Sequence, residues 1–222
     1  MGQTIELSAR DGHRLSAYEA QPAGTPRGGL VVVQEIFGVN GHIRGVADGY
    51  AADGYRVLAP ALFDRVRPGI ELGYTDADIA EGRAIRARVS FDDALADVSA
   101  ALAALRDTGH VGIVGYCWGG TITWLAAARL DGFAAAASYY GGGIGQFATE
   151  TPRCPTQCHF GEKDHAIPQD EVESVRRHQP DVEVYLYPAG HGFNCDARAS
   201  YDAPSAARAR QRTLAHFRQH VG

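Results

Sequence analysis

A cysteine stands at the centre of a glycine-flanked motif, Gly115–Gly119 (GYCWG). The motif matches the G-x-S-x-G pattern of a nucleophile elbow, with Cys117 in the position of the serine. In such an elbow a tight turn between a strand and a helix exposes the nucleophile, and the dipole of the following helix favours the thiolate form of a cysteine. No serine in the chain has glycines two residues before and after it, so the sequence offers no second elbow.

A cysteine nucleophile needs a base, and two loop residues further along the chain can supply and orient one. Asp164 and His191 each come directly after a predicted strand, which brings both to the same sheet edge as Cys117. The order of nucleophile, acid and histidine is that of α/β-hydrolases. His165 follows the acid rather than the last strand, and the remaining histidines fall in predicted helices or on predicted surfaces. The spacing therefore predicts a Cys117–His191–Asp164 triad.

These residues need a scaffold, and the chain alternates between strand and helix patterns. The predicted strands are short apolar runs bounded by turn residues: Leu30–Glu35, Tyr55–Pro60, His110–Gly115, Ala134–Tyr139, Pro155–Phe160 and Glu183–Tyr187. The predicted helices are Arg44–Asp53, a segment near Asp78–Arg88, one capped at Ser90, Gly119–Leu130, Gln169–His178 and Pro204–Val221. This alternation predicts an α/β fold with a mostly parallel sheet and helices on both faces.

Size and composition limit the function classes. With 222 residues, of which 45% are hydrophobic and 21% charged, the chain fits one compact domain spanning residues 1–222. A net charge of −5 gives no basic surface, so we expect no nucleic-acid partner. We find no signal peptide or membrane-spanning run, and four cysteines are too few for a disulfide framework, which predicts a cytoplasmic protein with free thiols. A monomer and a small homo-oligomer both stay open.

Four motifs in register resemble one known family. The segments Gln34–Asn40, Gly115–Gly120, Gly161–His165 and Gly190–Phe193 are similar to those of the dienelactone hydrolase (carboxymethylenebutenolidase) family of the α/β-hydrolase superfamily. The likeness runs from about Gly29 to the C-terminal helix, in the order and spacing of the family. It implies an α/β-hydrolase fold without a large lid, and the hydrolysis of a small ester or lactone substrate without a cofactor.

The resemblance implies the same triad and adds two further roles, carried by three residues. A carboxylate such as Glu35 at the end of a buried strand is costly unless it has a partner. In the family, a glutamate in this position contacts the thiol and helps to deprotonate it when substrate arrives. The resemblance also implies an oxyanion hole made by the backbone N–H groups of Ile36 and Trp118, aimed at the oxygen that becomes negative.

Substrate-binding residues follow the family less closely. Enzymes that open dienelactone hold its carboxylate with arginines, whose planar fork suits a carboxylate. One family arginine comes four residues after the catalytic histidine, where this chain has Cys195, and Arg198 is the nearest candidate. For the second arginine, Arg83 and Arg86 compete. Tyr139 matches a pocket tyrosine of the family.

Two cysteines and a histidine that lie close in sequence could suggest a metal site. Cys154, Cys158 and His159 lie close in sequence, but on a predicted buried strand, whose side chains alternate between faces and cannot converge. Buried cysteines that pack as small hydrophobic residues explain the pattern better. We therefore predict no metal and no cofactor.

Other functions remain as alternatives to this interpretation. The class I glutamine amidotransferase-like superfamily has its own cysteine elbow, but there a histidine usually follows the cysteine, and here Trp118 does. A general carboxylesterase or thioesterase is the alternative to a dienelactone-type lactonase. A non-catalytic binding scaffold would not need a complete triad. A redox-responsive thiol protein would need a resolving cysteine near Cys117, and the sequence does not show whether Cys195 comes that close.

Overall fold

The computed structural model describes residues 2–222, which form one eight-stranded sheet of order β1-β2-β4-β3-β5-β6-β7-β8. The strands are β1 (Gln3–Ser8), β2 (Arg14–Ala20), β3 (Gly29–Val33), β4 (Arg56–Pro60), β5 (Val111–Tyr116), β6 (Phe133–Tyr139), β7 (Thr156–Gly161) and β8 (Glu183–Tyr187). Strand β2 is antiparallel to β1 and β4, whereas the pairs from β4 through β8 are parallel. The predicted mostly parallel sheet is confirmed.

Within residues 2–222, six α-helices pack on this sheet: α1 (Gly41–Ala52), α2 (Asp76–Arg86), α3 (Phe91–Ala104), α4 (Trp118–Arg129), α5 (Gln169–His178) and α6 (Ala203–His220). Every residue of β3, β5 and β7 is buried. A parallel strand that is buried along its whole length has both of its faces covered. The helices therefore enclose the central strands, and only the carboxyl ends of those strands are left for chemistry.

Short polar motifs fix where the helices begin. Ser90 caps α3 in a capping box, in which the Ser90 hydroxyl accepts from the Asp93 N–H and the Asp93 carboxylate accepts from the Ser90 N–H. This confirms the cap predicted at Ser90. Thr75 and Asp78 form the same box at the start of α2. Such reciprocal bonds satisfy N–H groups that have no acceptor within the helix.

Two features differ from the sequence-based expectation. Strands β1 and β2 were not predicted, because the first is largely exposed and carries little apolar pattern. Strand β3 ends at Val33, where its pairing with Gly115 on β5 stops, so Glu35 lies in the following loop and not on the strand.

The segment between β6 and β7 is short. It contains one 3-10 turn, Ile144–Phe147, and no α-helix. The absence of a large lid in this connection agrees with the predicted fold. Within residues 2–222, no helix combines the length and apolar character required to cross a lipid bilayer.

Candidate active site

Cys117 lies in a strained turn between β5 and α4. Its backbone has φ 54° and ψ −120°, a conformation with positive φ that a residue with a side chain rarely adopts. The Cys117 N–H donates to the carbonyl oxygen of Tyr139 at 3.0 Å, which ties the turn to β6. The turn lies at the carboxyl edge of the sheet, and Cys117 is partly exposed there.

The flanking glycines leave room for this turn. A Cβ atom on Gly119 would lie 2.4 Å from the carbonyl oxygens of Val33 and Gln34, and one on Gly115 would lie 2.0 Å from the carbonyl oxygen of Gly119. Contacts this short cannot be accommodated without moving backbone. Both glycines are therefore required by the close approach of α4 to β3 and β5.

The structure brings the three predicted triad residues into one hydrogen-bonded line. His191 Nε2 lies 3.2 Å from Cys117 Sγ, and His191 Nδ1 lies 2.8 Å from Asp164 Oδ2. The second carboxylate oxygen, Oδ1, accepts the N–H of Ala166 at 2.9 Å, so the Asp164 side chain is held in place while completely buried. A nucleophile, a base and an orienting acid at these distances can carry out nucleophilic catalysis.

The electrostatics of His191 result from opposing effects. Burial lowers its pKa, but the charge of Cys117 and the hydrogen bonds with Asp164 and Cys117 raise it, and the net pKa is about 10. Protonation of the ring is thus favoured between the Asp164 carboxylate and the Cys117 sulfur, and a histidine in this position can stabilise a thiolate when it forms.

Glu35 is a buried carboxylate with one cationic neighbour. Its Oε1 lies 3.4 Å from Nη1 of Arg198, and its side chain is fully buried. Within residues 2–222, Oε2 of Glu35 is buried and has no hydrogen-bond partner. The Arg198 guanidinium also lies over the ring of Phe37, and a Cβ on Gly192 would be 2.5 Å from its Nη1. Arg198 is thus held against the loop that follows His191.

The other two predicted arginines lie differently. Arg83 is exposed on α2, and Arg86 places its guanidinium carbon 5.5 Å from the centroid of Phe91. Helix α2 itself comes close to the site, since a Cβ on Gly82 would lie 2.2 Å from the carbonyl oxygen of Ile36. Of these three arginines, Arg198 is the one that contacts Glu35.

The predicted pocket tyrosine is placed in the core. The hydroxyl of Tyr139 lies 2.7 Å from Oγ1 of Thr213, away from the triad. Its neighbour Tyr140 packs edge-on against His191, with ring centroids 5.2 Å apart. Tyr140 has φ 36°, and its buried hydroxyl has no hydrogen-bond partner within the described residues. Sequence reasoning missed Tyr140, although its position directly after β6, at the carboxyl edge of the sheet, was an available signal.

The two backbone groups expected to form an oxyanion hole are free to donate. Trp118 is the first residue of α4, where N–H groups have no acceptor within the helix. Ile36 lies beyond the last paired residue of β3. In the part of the chain from residue 2 onward, neither N–H donates to another backbone group.

Comparison with known proteins places this site in a family. The model of the dienelactone hydrolase family matches residues 15–221. The protein named "Carboxymethylenebutenolidase" from Pseudomonas putida is 33% identical, over 95% of this chain and 93% of its own length. A Synechocystis protein named "Putative carboxymethylenebutenolidase" is 36% identical, over 92% of this chain and 91% of its own length.

A solved structure agrees with these relatives. The structure named "Putative Dienelactone Hydrolase" from Klebsiella pneumoniae superimposes with a TM-score of 0.87 at 33% identity, and the match covers 99% of this chain and 100% of that one. Family model, relatives and fold point in the same direction. The chain belongs to the dienelactone hydrolase family, and it is a hydrolase of carboxylic esters or lactones.

Proposed function

We propose that this hydrolase cleaves a small lactone or ester through a covalent intermediate on Cys117. The observation that carries the proposal is the line from the Cys117 sulfur through His191 to Asp164, with separations of 3.2 and 2.8 Å. A thiol that lies in a strained turn, and that contacts a histidine hydrogen-bonded to a carboxylate, has no evident structural purpose. The alternative of a binding scaffold leaves the arrangement unexplained.

The reaction proceeds in two steps. The Cys117 thiolate attacks the carbonyl carbon, and the N–H groups of Ile36 and Trp118 stabilise the negative oxygen of the tetrahedral intermediate. The C–O bond then breaks, the leaving oxygen takes a proton from His191, and a thioester remains. His191 next removes a proton from water, which hydrolyses the thioester and restores the thiolate. An enol leaving group suits this scheme, because an enolate needs little protonation to depart.

Glu35 is proposed to prepare the thiol. Tyr140 lies near both groups: burial raises the pKa of its hydroxyl, and the charges of Glu35, Cys195 and Cys117 raise it further. A substrate carboxylate that binds Arg198 would compete with Glu35 for the guanidinium. Glu35 would then be free to accept the proton of Cys117, so that an anionic substrate promotes its own hydrolysis.

This proposal selects a substrate that carries one carboxylate, in line with the name of the Pseudomonas putida relative. The runner-up is a general carboxylesterase or thioesterase acting on neutral substrates. It is favoured by the positions of Arg83, which is exposed, and Arg86, which lies against Phe91. Of the three candidate arginines, Arg198 is then the one left to bind a substrate carboxylate.

The test compares an anionic dienelactone with a neutral p-nitrophenyl ester. Arg198→Ala should lower kcat/KM for the dienelactone by about 30-fold, or roughly 2 kcal/mol for a charged contact shielded from water, and change the neutral ester far less. Arg198→Lys should recover part of the lost kcat/KM, because lysine keeps the positive charge but lacks the paired N–H donors of a guanidinium. Arg83→Ala is the matched surface control. Equal losses on both substrates would make Arg198 structural, and no loss would favour the neutral-ester enzyme.

The cellular compartment, the domain organisation and the oligomeric state of the enzyme are also proposals. Cys117, Cys154, Cys158 and Cys195 are all free thiols. Free thiols are stable in a reducing compartment, which supports a cytoplasmic enzyme. We propose that residues 1–222 act as one domain, as a monomer or a small homo-oligomer.

A further inference from the structure

Two buried side chains beside Glu35 have no role in the reaction proposed above. They are His42, in the first turn of α1, and Cys195, in the loop before α6. A ring nitrogen of His42, the Cys195 sulfur and a Glu35 carboxylate oxygen all lie within 4.8 Å of one another. Glu35 and Cys195 have no exposed surface, and the His42 side chain is 6% exposed. Three different ligand types therefore meet in a closed space.

Two atoms of this cluster lack partners. Within residues 2–222, Oε2 of Glu35 and Nε2 of His42 are buried and have no hydrogen-bond partner. The other ring nitrogen, Nδ1 of His42, lies 3.3 Å from Oδ1 of Asp196. A carboxylate that accepts from Nδ1–H leaves a lone pair on Nε2, which is how histidines that bind zinc are oriented. A buried carboxylate oxygen and a buried imidazole lone pair without a donor both favour a cation.

We propose that Glu35, His42 and Cys195 bind a zinc ion, and that this ion inhibits the hydrolase. Sulfur, nitrogen and oxygen ligands lie about 2.0–2.3 Å from zinc, which puts them roughly 3.5 Å apart in a tetrahedral site. The three atoms are thus close to binding distance, and small rotations bring them in. Cys195 releases its thiol proton to solvent on binding. The two charges of the ion are then balanced by the thiolate and the carboxylate, and a water fills the fourth position.

The ion has an entrance of its own. His42 and Asp196 line a cavity of about 530 Å³ between α1 and the first half of α6. Cys117 and His191 do not line this cavity. The one arginine on its wall, Arg210, has its charge paired with Asp53. Zinc can therefore reach the cluster without passing the nucleophile.

Inhibition follows from the shared carboxylate, and this part rests on the role proposed above for Glu35. Zinc on Oε2 leaves Oε1 with Arg198 and removes the carboxylate from the activation of the thiol. The Cys117–His191 pair is not itself a ligand of the ion. The site thus allows a divalent cation to reduce activity reversibly.

Binding can be measured without activity. Cys117→Ser removes the catalytic thiolate, a competing zinc ligand, and Co²⁺ reports thiolate ligation by a near-ultraviolet charge-transfer band. We expect one Co²⁺ per chain in this variant, displaced by Zn²⁺. Adding Cys195→Ser should abolish the band, and adding His42→Gln should weaken affinity at least tenfold, the lower end of what changes around a metal site cost. Cys154→Ser and His220→Ala, added in the same way, are the matched controls and should leave the band unchanged.

Two results would overturn the site: no band in Cys117→Ser, or a band that survives Cys195→Ser. Cys195→Ala is a second variant with the same expected loss, and circular dichroism establishes that each protein is folded. For inhibition, wild type and Cys195→Ser are each compared with their own zinc-free rate. The inhibitory zinc concentration should rise at least tenfold in the variant, near the smallest effect expected for a lost ligand, and chelator should restore the wild-type rate. Equal inhibition of both proteins would place zinc on Cys117 and refute the regulation. If the wild type hydrolyses no ester, the proposed function fails while the Co²⁺ measurement still decides the site.

Discussion

Two histidines of this enzyme are each hydrogen-bonded through both ring nitrogens, yet their pKa values move in opposite directions. The pKa of His191, between Asp164 and Cys117, rises to about 10, because its charged partners outweigh the effect of burial. The pKa of His159 falls to about 3, because burial removes the ring from water and the charges of Arg212 and His216 add to the effect. The number of hydrogen bonds is the same in the two cases, so it does not explain the difference.

The difference lies in what the rings contact. His159 Nδ1 lies 2.8 Å from the hydroxyl of Tyr187, and its Nε2 lies 3.1 Å from Oγ1 of Thr213, which also contacts the hydroxyl of Tyr139. These partners are neutral, and the ring is completely buried. His159 is therefore a fixed neutral ring that joins β7 to β8 and α6. His191 is partly exposed between the Asp164 carboxylate and the Cys117 sulfur, and this combination suits the role of base proposed for it.

The largest expected effect concerns the surroundings of His191, which lies between Asp164 and Cys117. Cys117→Ala should lower kcat/KM for an ester or lactone by about 10⁴-fold or more, as for other triad nucleophiles. Cys117→Ser should be severely impaired as well, because a serine hydroxyl is a much weaker acid than a thiol. Cys154→Ala, which removes a thiol outside the triad, is the control. Full turnover by a correctly folded Cys117→Ala protein, judged by circular dichroism, would refute the nucleophile.

The orienting acid should matter next most. Asp164→Asn keeps the size of the side chain but removes the negative charge that holds His191 Nδ1–H. We expect kcat/KM to fall by about 10²–10⁴-fold, as when the acid of a related triad is replaced. The pH–rate profile should also shift, because the pKa of His191 loses one of its raising influences. An unchanged rate and profile would mean that Cys117 and His191 act as a dyad.

The proposed triad was accessible to sequence reasoning because each of its three residues follows a strand. Cys117, Asp164 and His191 lie directly beyond β5, β7 and β8, and parallel strands bring such positions to one edge. Tyr139 was assigned by the family resemblance and not by this rule. It is the last residue of β6 and faces the core, whereas the next residue, Tyr140, packs on His191. Successive residues of a strand point to opposite faces, so two neighbouring tyrosines can have different surroundings.

The Glu35 environment was less accessible. Glu35, His42, Cys195 and Arg198 come from three segments that approach one another only in the folded chain. None of these residues follows a spacing rule for metal ligands. Cys154 and Cys158 do lie close in sequence, but Cys154 precedes β7 and is only partly buried, whereas Cys158 is buried on that strand, so the prediction that both lie on one buried strand is wrong for Cys154. Long-range approach of loops depends on packing, which residue patterns alone do not encode.

A substitution of His159, whose hydrogen-bond partners are neutral, should lower stability and leave catalysis intact. His159→Phe keeps the ring volume and removes two hydrogen bonds, while the hydroxyls of Tyr187 and Thr213 keep their bonds to Arg212 and Tyr139. We expect the free energy of unfolding to fall by about 1–3 kcal/mol. The kcat/KM of the folded protein should stay within about threefold, because the triad contacts are untouched. Urea unfolding measures the free energy of unfolding, and kinetics at urea concentrations below the unfolding transition measure kcat/KM. A loss of activity as large as in Asp164→Asn would contradict the distinction between a catalytic His191 and a structural His159.

The smallest expected effect is the slope of stability against pH, which should have opposite signs for the two histidines. The folded pKa of His159 is about 3, below the ordinary value of 6.5, so the unfolded chain alone gains a proton between these values and stability falls as the pH drops. The folded pKa of His191 is about 10, above 6.5, so its contribution is complete below pH 6.5 and is lost as the pH rises toward 10. Each contributes at most about 1.4 kcal/mol per pH unit.

Urea unfolding across this pH range separates the two contributions. His159→Phe should flatten the acid side of the stability curve and leave the alkaline side unchanged, whereas His191→Gln should do the reverse. Other titrating groups are common to wild type and variants, so the difference between their slopes isolates one histidine. If His159→Phe left the acid slope as it is in the wild type, the ring would already be protonated in the folded protein. His159 would then resemble His191, and the contrast between a charged and a neutral setting would no longer account for which histidine does the chemistry.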